Sequence, residues 1–330
     1  MKIYFLSSNV DMNIGSYRIW INDLSQYFKD IGFNTSINQL PDSIKRNEVI
    51  ILGKSDIEKC NFYKKKYPNN LVGIINPEGN VLYNADFIIV GSIEEKDSLS
   101  KNQNVFIFPL IENKYRKIKQ KIHSDKDEMV IGVHGNYTHL SKFSRNLKEA
   151  LEQFSQERNI VLKVITNSDA PKWRYGKPNI PNIEIIKWEL NTFSNEILSC
   201  DIGIVPNISD IEPVFKEISK DHGLYKNDYF FRLKNKSNSG RVFAFIQHGI
   251  PVIADLTPSN LHILGNPDNG YAVFSMDGWL QAMREMSSSN KRKITAKNAL
   301  NSFNSLYNPI KWVTKLGNNI MEVKKYHSNN

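Results

Sequence analysis

Lys236-Ser237-Asn238-Ser239-Gly240-Arg241 leads into Val242, Phe243, Phe245 and Ile246, and His248-Gly249-Ile250-Pro251-Val252-Ile253-Ala254-Asp255 follows at once. A loop of small polar residues starts an apolar helix, a glycine ends it, and a β-branched strand begins directly afterwards. That order belongs to a parallel α/β sheet. The first-turn amides of such a helix point outward without partners, and its dipole favours an anion there. Lys236 and Arg241 place positive charge on either side, so the segment fits a diphosphate. The same small residues also fit a plain helix cap, and the neighbouring segments have to decide.

Outward from this stretch, apolar runs alternate with amphipathic ones. In the second half, strands are expected at Met129–His134, Val161–Ile165, Ile183–Ile186, 201–206, 252–254 and Tyr271–Phe274, with helices at Phe143–Glu157 and Asn191–Ser199. The first half repeats the pattern, with strands at Ile3–Ser7, Val49–Gly53, Leu71–Ile75, Phe87–Val90 and Val105–Phe108. Its helices fall at Ser16–Ile31, Ile57–Lys66 and Glu94–Leu99. Two rounds of alternation predict two doubly wound parallel sheets, with ligands beyond the carboxyl ends of the strands. The expected division is residues 1–118, a charged linker at 119–128, a second domain at 129–308, and a last helix at 309–330. That helix carries Val313, Leu316, Ile320 and Val323 as its apolar stripe.

Composition fits this. The chain has 330 residues, 40% hydrophobic and 23% charged, as in ordinary soluble globular proteins. Cys60 and Cys200 lie far apart and read as buried thiols, so a reducing cytoplasm is the expected compartment. No run reaches the 18 or so apolar residues of a membrane span. Asp125-Lys126-Asp127 sits in a solvated charge run, and no metal site is expected. The net charge of +9 is scattered over Lys64-Lys65-Lys66, the Lys114 to Lys121 run and Lys291-Arg292-Lys293. Peripheral contact with anionic headgroups at the inner face of a membrane is the minor expectation, and nucleic acid is not an expected partner.

Four segments occur in a telling order: Asn13-Ile14-Gly15-Ser16-Tyr17-Arg18 before an amphipathic helix, Ala85-Asp86-Phe87-Ile88-Ile89-Val90-Gly91-Ser92, Gly132-Val133-His134-Gly135-Asn136, and Lys236 to Asp255. Together, over nearly the whole chain, they resemble a glycosyltransferase of the GT-B fold, in the style of the group 1 (GT4-like) bacterial enzymes of surface-polysaccharide synthesis. The resemblance implies α/β architecture with two Rossmann-like domains facing a central cleft, and a final helix crossing back to the first domain. It implies a nucleoside-diphosphate sugar as donor substrate, no separate cofactor, no metal, and a glycan or lipid-linked saccharide as acceptor.

Carried onto this sequence, Ser237, Asn238, Ser239 and Gly240 hold the diphosphate through amides and hydroxyls. Lys236 and Arg241 supply the counter-charge that stabilises the departing group. Gly15 and Ser16 meet the same phosphate from the first domain, and Gly135, Asn136 and Arg145 are further donor contacts. Trp188 stands where the family tends to place its nucleobase, and fits either base stacking or a core plug. All seven histidines, from His123 to His327, follow the first domain. An acceptor-side base therefore falls to a carboxylate, Asp11, Glu78 or Glu94, with Glu78 best placed. His134 and His139 fit a contact to the sugar or a core role, and the Asn207 to Asn235 insertion has the length of a lid.

One departure stands out. Where many such enzymes carry two glutamates, this chain has Lys236 and Ala244. That leaves a catalytically decayed scaffold open, and the +9 charge leaves a phage-type DNA glucosyltransferase open as well. A dehydrogenase is disfavoured, because no Gly-x-Gly-x-x-Gly occurs at either first turn.

Overall fold

The computed structural model describes residues 1–77, 84–99, 104–207 and 238–328. They form two units, each built on one six-stranded parallel sheet.

In the first unit the strands are β1 (Lys2–Leu6), β2 (Asn34–Ile37), β3 (Val49–Leu52), β4 (Leu71–Ile75), β5 (Phe87–Val90) and β6 (Val105–Ile107), in the order β2-β1-β3-β4-β5-β6. β3, β4 and β5 are buried along their whole length. Runs such as Val49-Ile50-Ile51-Leu52 are what a sheet covered on both faces demands. β2 was not expected from sequence. Its Asn34-Thr35-Ser36-Ile37 is a polar edge strand with one buried residue, Thr35, held by Ser25. The expected first helix spans Gly15 to Asp30 and contains a π-helical turn, Arg18–Asp23. The helix Pro309–Ser328 seats Val313, Leu316 and Ile320 in the same core as Phe5, Trp20, Tyr27 and Phe28.

The second unit holds β7 (Met129–Gly135), β8 (Ile160–Thr166), β9 (Asn182–Lys187), β10 (Ile202–Val205), β11 (Val252–Asp255) and β12 (Gly270–Val273), in the order β12-β11-β10-β7-β8-β9. In both sheets the first strand lies inside, and the chain order reverses there. Such a reversal leaves a crevice beyond the carboxyl ends of the strands.

Two glycines bring the helix Gly240–Gln247 close to this sheet. A Cβ on Gly203 would stand 2.4 Å from the Phe245 ring, and one on Gly132 would stand 2.6 Å from Cys200 Sγ. Only bare backbone lets Phe245 pack down, and that fixes where the helix begins. Residues 119–128, expected as a linker, are bonded along this unit. Lys121 N donates to the His248 carbonyl at 2.9 Å, Gln120 Nε2 to the Gln247 carbonyl at 2.9 Å, and Arg292 to the Ser124 carbonyl at 2.8 Å. Both cysteines are free and buried; burial pushes the Cys60 thiol up to about 11 and Cys200 to about 12. No helix among the described residues is long and apolar enough to cross a membrane.

Candidate functional site

At the carboxyl ends of β7, β10 and β11 a buried polar network gathers around the start of the helix Gly240–Gln247. Asn238 Oδ1 accepts from the Gly240 amide at 3.1 Å, a local cap. Ser239, 3% exposed, does not cap the helix with its side chain. Its hydroxyl donates instead to Asn260 Oδ1 at 2.9 Å, and Asn260 Nδ2 donates to the Asp255 carbonyl at 2.9 Å. Asp255 Oδ2 accepts from the Asn207 amide at 2.5 Å. The helix start is thereby tied to the ends of two strands.

Arg241 reaches back across these ends. Its Nη2 donates to the Pro206 carbonyl at 2.7 Å and to Asn207 Oδ1. Arg241 Nη1 and Asn207 Nδ2 are both sealed from solvent and have no hydrogen-bond partner among the described residues. Two neighbouring buried donors left unpaired are costly, and they call for an acceptor. Burial lowers Arg241 to about 10, and Asp255 opposes that shift, so the guanidinium stays charged at neutral pH. Thr166 Oγ1, at the end of β8, is a third buried group without a partner among the described residues.

Gly135 ends β7 at φ +130°, and a Cβ there would stand 2.8 Å from His139 and 3.0 Å from Arg241 Cδ. The position needs glycine both for its backbone and because the Arg241 stem passes over it. Asn136 caps the short turn Tyr137–Lys142 through Thr138 N at 3.0 Å. His134 Nε2 lies 3.1 Å from the Arg241 carbonyl, which can only accept, so this nitrogen carries the hydrogen. Its ring packs edge-on against Phe193 and Phe245. Burial lowers His134 to about 3 and keeps it neutral beside Arg241. His248, fully buried against Tyr115, is lowered to about 4 for the same reason.

The structure thus brings Gly135, Asn238, Ser239, Gly240 and Arg241 together. Arg145 is exposed on the first turn of the helix Arg145–Glu157, with its guanidinium 5.4 Å from the Tyr175 ring. Trp188 follows β9, half-buried, its ring 5.9 Å from Phe193. Lys236, Ser237 and Glu78 lie outside the described residues, as does the expected lid apart from Asn207. Sequence reasoning assigned no role in the site to Asn207, Asp255, Asn260 or Thr166. Asn207, Asp255 and Thr166 stand at or just past the carboxyl ends of strands, and that position was the available signal, whereas Asn260 lies on the helix Pro258–Leu264 and gave none.

The first unit presents a different strand end. Gly15 and Ser16 open the helix after β1 and are half-buried. Arg18 in the next turn donates to Glu112 twice, at 2.9 and 3.1 Å, and to the Met12 carbonyl at 2.6 Å. Of the other carboxylates considered, Asp11 folds into its own loop, accepting from Asn13 N at 2.9 Å. Glu94 is fully buried, in reach of Tyr307, whose hydroxyl pKa is raised by burial and by this carboxylate.

No family model and no curated protein sequence matches the chain. Solved structures do. Sucrose-phosphate synthase from Thermosynechococcus elongatus aligns with a TM-score of 0.62 at 12% identity, over 98% of each chain. S. aureus TarM, crystallised as a point mutant with fondaparinux, α-GlcNAc-glycerol and UDP, aligns at 0.59 and 12% identity. That match covers 90% of this chain, which spans only 58% of the TarM chain. The T4 phage β-glucosyltransferase aligns at 0.59 and 11% identity, over 97% of this chain and 99% of its own. In architecture the chain is a GT-B protein, two six-stranded parallel sheets each doubly wound with helices.

Proposed function

We propose that the chain is a glycosyltransferase that moves a sugar from a nucleoside-diphosphate sugar to a glycan or lipid-linked acceptor without a metal. The observation that carries this reading is the pair of buried donors at the start of a helix, Arg241 Nη1 and Asn207 Nδ2, unpaired among the described residues. They stand where the strand order of the second sheet reverses. A diphosphate supplies acceptor oxygens that the described residues do not, and the helix dipole adds to the attraction. Charge grows on that diphosphate as the glycosidic bond breaks, so a guanidinium already in place stabilises the transition state without rearranging. Arg241 is the group for this role, with Lys236, Ser237, Asn238, Ser239 and Gly240 completing the cradle and Gly135 making room for it.

Trp188, half-exposed beyond β9, is the candidate for the base, with Asn136 and Arg145 as more remote donor contacts. Glu78 remains the candidate acceptor-side base. UDP is the first donor base to try, since TarM was crystallised with UDP. Work takes place in the cytoplasm or at the inner face of the membrane in this reading.

A second reading is transfer of a sugar to DNA, which the net charge of +9 suits. It expects affinity for duplex DNA to fall steeply between about 50 and 200 mM salt.

The test is a thermal-shift screen against UDP, GDP, ADP, TDP and CMP, repeated with Arg241→Ala and Lys236→Ala. A ligand at a hundred times its Kd adds roughly 2.7 kcal/mol, a shift of several degrees. One nucleoside diphosphate stabilising the parent and neither variant supports the reading. Silence across the panel removes it and favours a decayed scaffold.

A further inference from the structure

The connection between β8 and β9 is unlike an ordinary crossover. A link between parallel strands usually carries a helix, but residues 167–181 form neither helix nor strand. They reach the length, about 12–15 residues, at which structureless loops become uncommon and are usually functional. The loop is nevertheless fastened along its course. Asn167 Oδ1 accepts from the Tyr137 amide at 2.8 Å, and the Trp173 ring meets Phe143 edge-on with centroids 4.9 Å apart. Lys148 Nζ donates to the Tyr175 carbonyl at 2.9 Å, and the Asn179 amide donates to Glu152 at 2.7 Å. Because β8 lies next to β7, the loop leaves the same row of carboxyl ends as the donor site.

Positive charge gathers on this fastened loop. Lys172, Arg174 and Lys177 are exposed. The Arg174 guanidinium lies 5.6 Å from the Tyr175 ring, and that of Arg145, on the first turn of its helix, lies 5.4 Å from the same ring. One ring thus holds two like charges, and the first turn of a helix disfavours a cation. Neither guanidinium has a hydrogen bond or an ion pair among the described residues, although Glu149 lies one turn along from Arg145 and Asp169 in the same loop as Arg174, both exposed. Glu152, the next carboxylate on the helix, is taken up by Lys148 at 3.8 Å and by the Asn179 amide. Local stability alone would not assemble charges in this way, and such conflicts concentrate at functional surfaces.

The surface offers little besides cations. Trp173 packs on Phe143 and the core, the Tyr175 ring lies under the guanidiniums, and the loop has no exposed large apolar side chain. Tyr137, 45% exposed on the neighbouring turn, is a single open ring. Stacked bases need a track of free rings, a duplex is read by a helix or ribbon in its groove, and a membrane surface needs apolar groups beside its cations. What the loop can take is anionic oxygen, which guanidinium forks bind bidentately. We infer that Lys172, Arg174 and Lys177, with Arg145 beside them, form a docking surface for a polyanionic glycan, held by its carboxylate or phosphodiester groups. This rests on the transferase reading for the glycan's role as acceptor.

The probes are tetragalacturonic acid, whose charges are carboxylates, and a synthetic tetrasaccharide joined by phosphodiesters, with maltotetraose as the neutral control. Titration calorimetry at low and high salt reads the binding. An anionic probe is expected to bind saturably, more weakly as salt rises, the tighter of the two naming the anion; maltotetraose is not expected to bind. Lys172→Ser with Arg174→Ser and Lys177→Ser is expected to weaken that binding about tenfold, with melting temperature and UDP affinity unchanged. A matched variant, Lys65→Ser with Lys293→Ser and Lys297→Ser, removes as much exposed charge elsewhere and should bind like the parent. Equal loss in both variants, undiminished binding by the first, or no binding of either probe overturns the inference. So does tighter capture of duplex DNA or of phosphatidylglycerol vesicles that the first variant loses, since that marks a different partner. UDP titrated into the same sample separates the two claims: probe binding without UDP binding overturns the acceptor role, whereas UDP binding without probe binding overturns the docking surface alone.

Discussion

Two arginines stand near the carboxyl ends of strands, one in each unit, and the fold treats them differently. Arg18 is 4% exposed, and its nitrogens are taken up by the Glu112 carboxylate and the Met12 carbonyl. Arg241 faces a carbonyl and an amide oxygen, both neutral, and keeps Nη1 buried without a partner among the described residues. The first guanidinium is closed within the fold. The second is held in position with Nη1 unpaired among the described residues, which is how a protein prepares for a ligand that brings its own negative charge. Identical chemistry in two similar sheets therefore gives a strut in one place and a candidate binding group in the other.

The largest expected effect breaks the strut. Arg18→Ala leaves the Glu112 carboxylate, 16% exposed, without its cation, a loss of about 3–5 kcal/mol. A melting curve should show the first unit unfolding early. If the loss stays within ~1 kcal/mol, the level of an exposed ion pair, Arg18 is not the closed member of the pair.

Acid separates the units next. His134 and His248 are neutral when folded, at about 3 and about 4, against 6.5 unfolded. The unfolded chain binds their protons first, so their contribution is whole above pH 6.5 and declines as pH falls toward 4. At about pH 5 each costs roughly 2 kcal/mol. Asp23 works in the opposite sense in the first unit. Burial raises its pKa, the amide bonds from Asn113 and Asn22 oppose this, and its contribution is present in acid and lost as pH rises. Hydrogen exchange at neutral pH and at about pH 5 should therefore show the second unit loosening selectively in acid. Uniform loosening of both units would contradict this.

A smaller effect tests how the helix start is held. Gly203→Ala drives a Cβ into the Phe245 ring and should cost about 1–3 kcal/mol, lifting the helix Gly240–Gln247 from its sheet. Asn260→Ala leaves the Ser239 hydroxyl and the Asp255 carbonyl short of a partner and should cost a similar ~1–3 kcal/mol. If either variant melts like the parent, the network does not fix the helix start.

Much of this was legible before the structure. Strands buried on both faces are uninterrupted apolar runs, and Val49-Ile50-Ile51-Leu52 and Phe87-Ile88-Ile89-Val90 announce themselves. β2 did not, because an edge strand with one buried residue needs no apolar pattern. Around the candidate site, Asn238 to Arg241 were visible as a helix start with charge beside it. Asn207 and Asp255 were not, because a lone polar residue at a strand end looks like any turn until tertiary contacts pair it, and Asn260 was hidden as an ordinary polar residue of the helix Pro258–Leu264. Glu94 shows the reverse. A carboxylate near a strand end looked available, and burial within reach of Tyr307, just before the last helix, closed it off.

The most direct measurement is titration calorimetry of UDP with the parent and with Arg241→Ala, each paired with a melting curve. One site is expected in the parent. In the variant the affinity should be about 30-fold weaker, roughly 2 kcal/mol, at nearly unchanged stability, because no described residue satisfies Nη1. Equal affinity in both proteins, or a variant that merely unfolds, would make Arg241 a second strut and contradict the distinction between the two arginines.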